Sequence, residues 1–147
     1  MFEKKIVRKA IPKDLRSIFL IEEVVFSKEH WTIEMIADEL EDIPEKITWV
    51  IEQSQNILGY CMVRLFNNEV NIINMAITPS FQGKGLGRLL LGHILNQIPS
   101  KSSVFLEVKQ GNLSAINLYL SFGFKEIDVR NDYYRDGSDA LVMHLEH

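Results

Sequence analysis

The chain has 147 residues, 46% of them hydrophobic and 24% charged, with a net charge of −4. That length fits one domain of ~100–150 residues around one core, and the composition is that of an ordinary globular protein. Lysines and arginines are scattered along an acidic chain, which disfavours nucleic acid as a partner because phosphate neutralisation needs a concentrated basic footprint. No apolar run approaches the ~20 residues of a membrane span, and Met1-Phe2-Glu3-Lys4-Lys5 lacks the apolar block of a secretory signal. The expected location is therefore the cytoplasm, away from membranes. A lone Cys61 cannot form an internal disulfide, which agrees with a reducing compartment. His30, His93, His144 and His147 show no ligand spacing, so no metal is expected. Leu145-Glu146-His147 reads as the beginning of a purification tag, which sets the expected domain at residues 1–144.

Residues 4–9 read as a first strand. From Pro12, Leu15, Ile18, Ile21 and Val25 recur at spacings of three and four, the pattern of an amphipathic helix with proline near its start. Thr32 is an N-cap by residue type ahead of Ile33, Ile36, Ala37 and Leu40. Runs at 47–52, 57–66 and 69–77 are β-branched and apolar, broken by Ser54-Gln55-Asn56 and Asn67-Asn68, which predicts an antiparallel meander. A helix over 86–98, a strand over 103–109, a helix over 113–122 and strands near 124–130 and 139–145 complete the chain. Gly123 stands where a helix needs a left-handed residue to end. The order β-α-α-β-β-β-α-β-α-β-β predicts a mixed α/β sheet of about seven strands with about four helices.

Between the meander and the third helix lies Gln82-Gly83-Lys84-Gly85-Leu86-Gly87. Glycines there free the backbone for positive φ and let an anion approach the amide N–H groups, and the following helix adds its unpaired first-turn donors and dipole. The same glycines also serve as ordinary turn punctuation. The spacing fits neither a P-loop, since Gly85 is followed by Leu86 and Gly87, nor a dinucleotide fingerprint, whose second gap differs.

Glu107 interrupts the apolar run Val104-Phe105-Leu106-Val108. A carboxylate there sits in solvent at the strand end, pairs with a lysine or arginine, or does chemistry. Tyr119 falls midway along the next helix, where a ring is ordinarily buried with its hydroxyl reaching water. Asn112 is a helix N-cap by residue type. Tyr133 and Tyr134 read as cross-strand sheet residues. Trp31, Trp49, Phe66 and Phe81 read as core or rim aromatics, and Cys61 as a small buried hydrophobe.

Gln-x-x-Gly-x-Gly after a strand resembles the acyl-CoA signature of the Gcn5-related N-acetyltransferase (GNAT) superfamily. Residues 106–124, from Leu106-Glu107-Val108-Lys109 through Asn112, Ala115 and Leu118-Tyr119 to Gly123-Phe124, resemble a stretch of the RimI-type enzymes, bacterial acetyltransferases of the N-terminal alanine of ribosomal protein S18. The resemblance extends over much of 70–143. It implies a sheet whose fourth and fifth strands splay apart, and acetyl-CoA as cofactor. Contacts to that cofactor would come from Met75, Ala76 and Ile77 through the backbone, from Gln82, Gly83, Lys84, Gly85, Leu86, Gly87 and Arg88 at the pyrophosphate, and from Asn112 and Tyr119. It also implies Glu107 as general base, Tyr119 as general acid, and an acceptor wall containing Trp31, Tyr133 and Tyr134. The segment Phe26-Ser27-Lys28-Glu29-His30-Trp31-Thr32, with extra residues and no proline, and Asp132 within Arg130-Asn131-Asp132-Tyr133-Tyr134, depart from the pattern on the acceptor side. The expected reaction is acetyl transfer by direct attack of an amine, first a protein or peptide N-terminal α-amine, with a small amine such as a polyamine, amino acid or antibiotic as the alternative acceptor.

Overall fold

The computed structural model describes residues 4–147. The start of the stretch read for a secretory signal, residues 1–3, lies outside the described residues. The strands are β1 (Ile6–Lys9), β2 (Lys46–Gln53), β3 (Asn56–Phe66), β4 (Glu69–Ile77), β5 (Ser103–Lys109), β6 (Lys125–Arg130) and β7 (Ala140–Glu146). The helices are α1 (Leu15–Phe26), α2 (Ile33–Glu39), α3 (Leu86–Gln97) and α4 (Leu113–Ser121). The expected elements are therefore all present, with ends shifted by a residue or two. Proline at residue 12 opens a single 3-10 turn, Pro12–Asp14, that leads into α1. Leu145 and Glu146, set aside above as a tag remnant, pair with Val104 and Ser103 as the last residues of β7.

Local chemistry accounts for the element ends. Thr32 accepts a hydrogen bond from the backbone N–H of Met35, and Asn112 from that of Ala115, so α2 and α4 each begin on a side-chain cap. Gly123, at φ +97°, takes the left-handed position just past α4. Ser54 and Gln55 both have positive φ between the paired Gln53 and Asn56, the backbone of a tight hairpin turn whose twist matches its strands.

The sheet order is β1-β2-β3-β4-β5-β7-β6. Only β4 and β5 run parallel, as the crossover through α3 requires. Their ladder is short: it starts at Glu69 beside Ser103 and ends at Ile72 beside Leu106. Beyond Ile72, β4 keeps β3 on one side and has no strand on the other. The central strands thus splay.

Alternation along the strands sends Trp49, Ile51, Cys61 and Val63 to one face, where Leu86, Leu90, Leu91, Ile94 and Tyr119 of α3 and α4 cover them. Val50, Tyr60 and Met62 go to the other, against Ile18, Ile21 and Ile36 of α1 and α2. Each fully buried aliphatic side chain contributes ~1.5–3 kcal/mol relative to exposure. Across β3 and β4 the register slips by one residue between Met62 and Val63, leaving Ile73 as the extra residue of a β-bulge. The slip changes the phase of β4: Val70 and Ile72 face the α3 side, whereas Ala76 faces the α1 side.

Candidate active site

The splay opens a cleft of about 680 Å³ between β4 and β5. Its floor and walls bring together residues far apart in the chain: Trp31 from the α1–α2 connection, Met75 from β4, Glu107 from β5, Asn112 and Tyr119 from α4, and Tyr133 and Tyr134 from the β6–β7 loop. Every residue expected to do chemistry or meet an acceptor therefore lines one cavity.

Glu107 is exposed at the far end of β5, and its Oε1 lies 3.5 Å from Nε of Arg130. The carboxylate is part solvated and part paired, so two of the three settings open to it from sequence coexist. The Tyr133 hydroxyl stands against it, and this contact holds the Tyr133 phenol above its ordinary range. Burial, then the Glu107 charge, pushes the Tyr134 phenol up to about 12. Tyr119 is buried, its hydroxyl 4.0 Å from Sδ of Met75, and desolvation raises its pKa well above that of a free phenol. A phenol so placed stays protonated through the physiological range and beyond, and faces into the cleft with a proton to give. The arrangement supplies a proton acceptor near solvent and a proton donor in the interior, which is what transfer of an acyl group from a thiol to an amine requires.

The glycine loop lies outside this cavity, at the end of the unpaired edge of β4. Gln82 ties the two together, donating from Nε2 to the carbonyl of Ile77 at 2.9 Å. Gly83 and Gly85 have φ of +76° and +82°, and nothing stands within 4 Å of where a β-carbon would project from either. Gly85 is the N-cap of α3 and supplies no side-chain acceptor, so the first-turn N–H groups are open to an anion. Lys84 and Arg88 flank that end, resting over the rings of Phe81 and Phe122. Leu86 and Ala76 point their side chains into the core, leaving only backbone for a ligand, and Gly87 instead lets α3 approach Leu118 of α4. A ligand anchored at the loop can run along Met75–Ile77 into the cleft, with its amides pairing to the strand edge. Among the described residues no cluster of three or more His, Cys, Asp or Glu side chains could hold a metal ion, and no helix is long and apolar enough to cross a membrane.

Two residues of the cleft were missed by the sequence reading, Glu22 and Asn74. Glu22 of α1 is fully buried, and its carboxylate accepts from the Tyr60 hydroxyl at 2.5 Å, Asn74 Nδ2 at 2.6 Å and the Trp31 backbone N–H at 2.8 Å. A signal for it existed: Glu22 stands four residues after Ile18 and three before Val25, on the apolar stripe of its helix. At the cleft mouth Lys109 donates to Glu29 at 3.2 Å and to Asp136 at 2.8 Å, joining the α1–α2 connection to the β6–β7 loop.

The profile of the acetyltransferase (GNAT) family matches residues 13–124. A Bacillus subtilis relative, provisionally named a ribosomal protein bS18-alanine N-acetyltransferase, is 32% identical over 146 residues, covering 97% of this chain and 96% of its own. The ribosomal protein bS18-alanine N-acetyltransferase of Escherichia coli K12 is 33% identical over 104 residues, covering 67% of this chain and 70% of its own. The crystal structure of the ribosomal-protein-S18-alanine N-acetyltransferase from Escherichia coli superposes with a TM-score of 0.89 at 27% identity, over 97% of this chain and 94% of that one. With the splayed strands, the uncapped glycine loop and the protein family in agreement, this chain belongs to the acetyltransferase (GNAT) family and is an acetyl-CoA-dependent N-acetyltransferase.

Proposed function

We propose that the protein acetylates the N-terminal α-amine of a polypeptide whose first residue is small, a ribosomal protein of the S18 type being the acceptor that its relatives' names suggest. Such an acceptor puts the enzyme in the cytoplasm, where ribosomes are. The observation that carries the reading is the cleft itself: Glu107 at its solvent end, Tyr119 in its interior, and bulky Trp31 and Tyr133-Tyr134 on its acceptor side.

Acetyl-CoA supplies the activated acetyl group. Gln82, Gly83, Lys84, Gly85, Leu86, Gly87 and Arg88 would hold its pyrophosphate, the backbone at the end of β4 at Met75, Ala76 and Ile77 would hold the arm, and Asn112 and Tyr119 would line the path of the thioester. Glu107, acting through water, takes the proton that the amine must lose before it attacks the acetyl carbon. Tyr119 would give its proton to the sulfur as the carbon–sulfur bond breaks and be reprotonated by the second proton that the acylated nitrogen sheds, so the products are the N-acetyl chain and the free thiol. An α-amine, with a pKa of ~7.7–8.0, offers far more neutral nucleophile near pH 7 than a lysine at ~10.4. A single part-solvated carboxylate suits that lighter task.

Thiol release from acetyl-CoA tests the reading, with an Ala-Arg-started peptide, the same peptide blocked at its terminus and carrying one lysine, and spermidine as acceptors. The free-terminus peptide is expected to have the highest kcat/KM. Spermidine as the best acceptor would replace this reading with a small-amine enzyme.

A further inference from the structure

Glu22 is an unusual carboxylate for its surroundings. It is wholly buried, it borders the cleft, and its three hydrogen-bond donors are neutral groups from three separate segments: β3, β4 and the α1–α2 connection. Burying such a charge is costly unless its hydrogen bonds are satisfied, so the fold spends stability to hold something in place. What it holds at the cleft is Asn74. A carboxylate only accepts, which forces the NH2 of Asn74 toward Glu22 and turns its carbonyl oxygen the other way. Asn74 is there because of the bulge: without the extra Ile73, strict alternation would keep Asn74 on the face of Val70 and Ile72, away from α1.

Resting on the acceptor assignment above, we infer that Asn74 reads the acceptor as a peptide, its Oδ1 accepting the backbone N–H between the first and second residues, with Glu22 as the positioning residue that fixes the amide's orientation. That N–H lies two carbons from the attacking amine in every peptide whose second residue is not proline, and is absent from a polyamine. Binding there leaves the amine's own hydrogens free for Glu107. Trp31, pinned by its backbone to the same carboxylate, is held against the same acceptor wall.

The test pairs enzyme variants with a substrate variant. An Ala-Arg-started peptide is compared with its depsipeptide, in which an ester oxygen replaces that one N–H, and with spermidine. Wild type should prefer the amide over the ester by about tenfold in kcat/KM, the scale of one lost hydrogen bond. Asn74→Ala should raise the peptide KM about tenfold, leave kcat within about threefold and the acetyl-CoA KM unchanged, and abolish the amide-over-ester preference. Glu22→Gln, which sets an N–H against a donor, should move the same quantities in the same direction. If Glu22→Gln fails to fold, Asn74→Ala still decides. An Asn74→Ala enzyme that keeps the wild-type amide-over-ester ratio overturns the inference, even with lowered stability. Wild type inactive on the peptide but active on spermidine overturns the acceptor assignment and this inference with it, and that result is read without any variant.

Discussion

Glu107 and Arg130 meet at 3.5 Å although their strands are not neighbours: β7 runs between β5 and β6, and the two side chains reach across it. The pair is half open to water, so its Coulomb energy is well screened and worth ~0–1 kcal/mol. Arg130 therefore leaves the carboxylate available. Glu107→Gln is expected to lower kcat by ~10²–10⁴-fold while the thermal shift given by acetyl-CoA persists. Arg130→Ala should cost less than about tenfold in kcat. Steady-state rates with the Ala-Arg peptide check both, and full activity in Glu107→Gln would remove that residue from the mechanism.

Tyr119 has the opposite setting, a largely buried phenol on the inner wall of the cleft. Because burial raises its pKa above 10.0, the acid form does not run out within the usual assay range. Tyr119→Phe should lower kcat by ~10²–10⁴-fold at every pH from 6 to 9, without moving the alkaline limb. Loss confined to high pH would argue against it as the acid.

Stability should fall on the alkaline side for the same physical reason. Cys61, Tyr60 and Tyr119 are all buried and hold their protons above their ordinary values of 9.0 and 10.0. Their contribution is complete below those values and is lost as pH rises, because the unfolded chain releases protons that the native state keeps, at up to about 1.4 kcal/mol per pH unit for each group. Thermal melts should therefore decline above pH 9. Cys61→Ala should flatten the decline between pH 9 and 10, and Tyr60→Phe the part above 10.

At the glycine loop the cost of a side chain is conformational rather than a clash inside the protein, since Gly85 faces open space at φ +82°. Gly85→Val should lose ~1–2 kcal/mol of stability and abolish stabilisation by acetyl-CoA, which for wild type is about 2.7 kcal/mol at 100 times Kd. Gly85→Asn, better suited to a left-handed backbone, should lose less stability. Equal acetyl-CoA thermal shifts in wild type and Gly85→Val would refute the cradle.

What could be read from the chain was what short-range chemistry decides. The Thr32 and Asn112 caps, the left-handed Gly123 and the strand and helix spans follow from residue type and spacing within a turn or two. Glu107 and Tyr119 stood out because one interrupts an apolar run and the other completes a local motif, and both line the cleft. Glu22 did not: its meaning depends on Tyr60, 38 residues on, and on Asn74, 52 residues on. The bulge at Ile73 was equally hidden, since Glu69–Ile77 reads as one uninterrupted strand and the extra residue exists only against the partner register of β3. The bridge from Lys109 to Glu29 and Asp136 joins charges that look like ordinary surface residues in sequence.

The short parallel ladder leaves a seam in the sheet. Among the described residues, four pairs, from Glu69–Ser103 to Ile72–Leu106, join the β1–β4 half of the sheet to the β5–β7 half. Past them the halves are held by the shared core under α3 and α4 rather than by strand-to-strand hydrogen bonds, so the edge of β4 is open to a long, flexible ligand. A ligand lying along Met75–Ile77 would take up the backbone groups that the missing rungs leave open. Amide hydrogens at the open edge of β4 should then change from fast to slow exchange on loading, while those in the middle of β2 and β3, already paired on both sides, stay as they were.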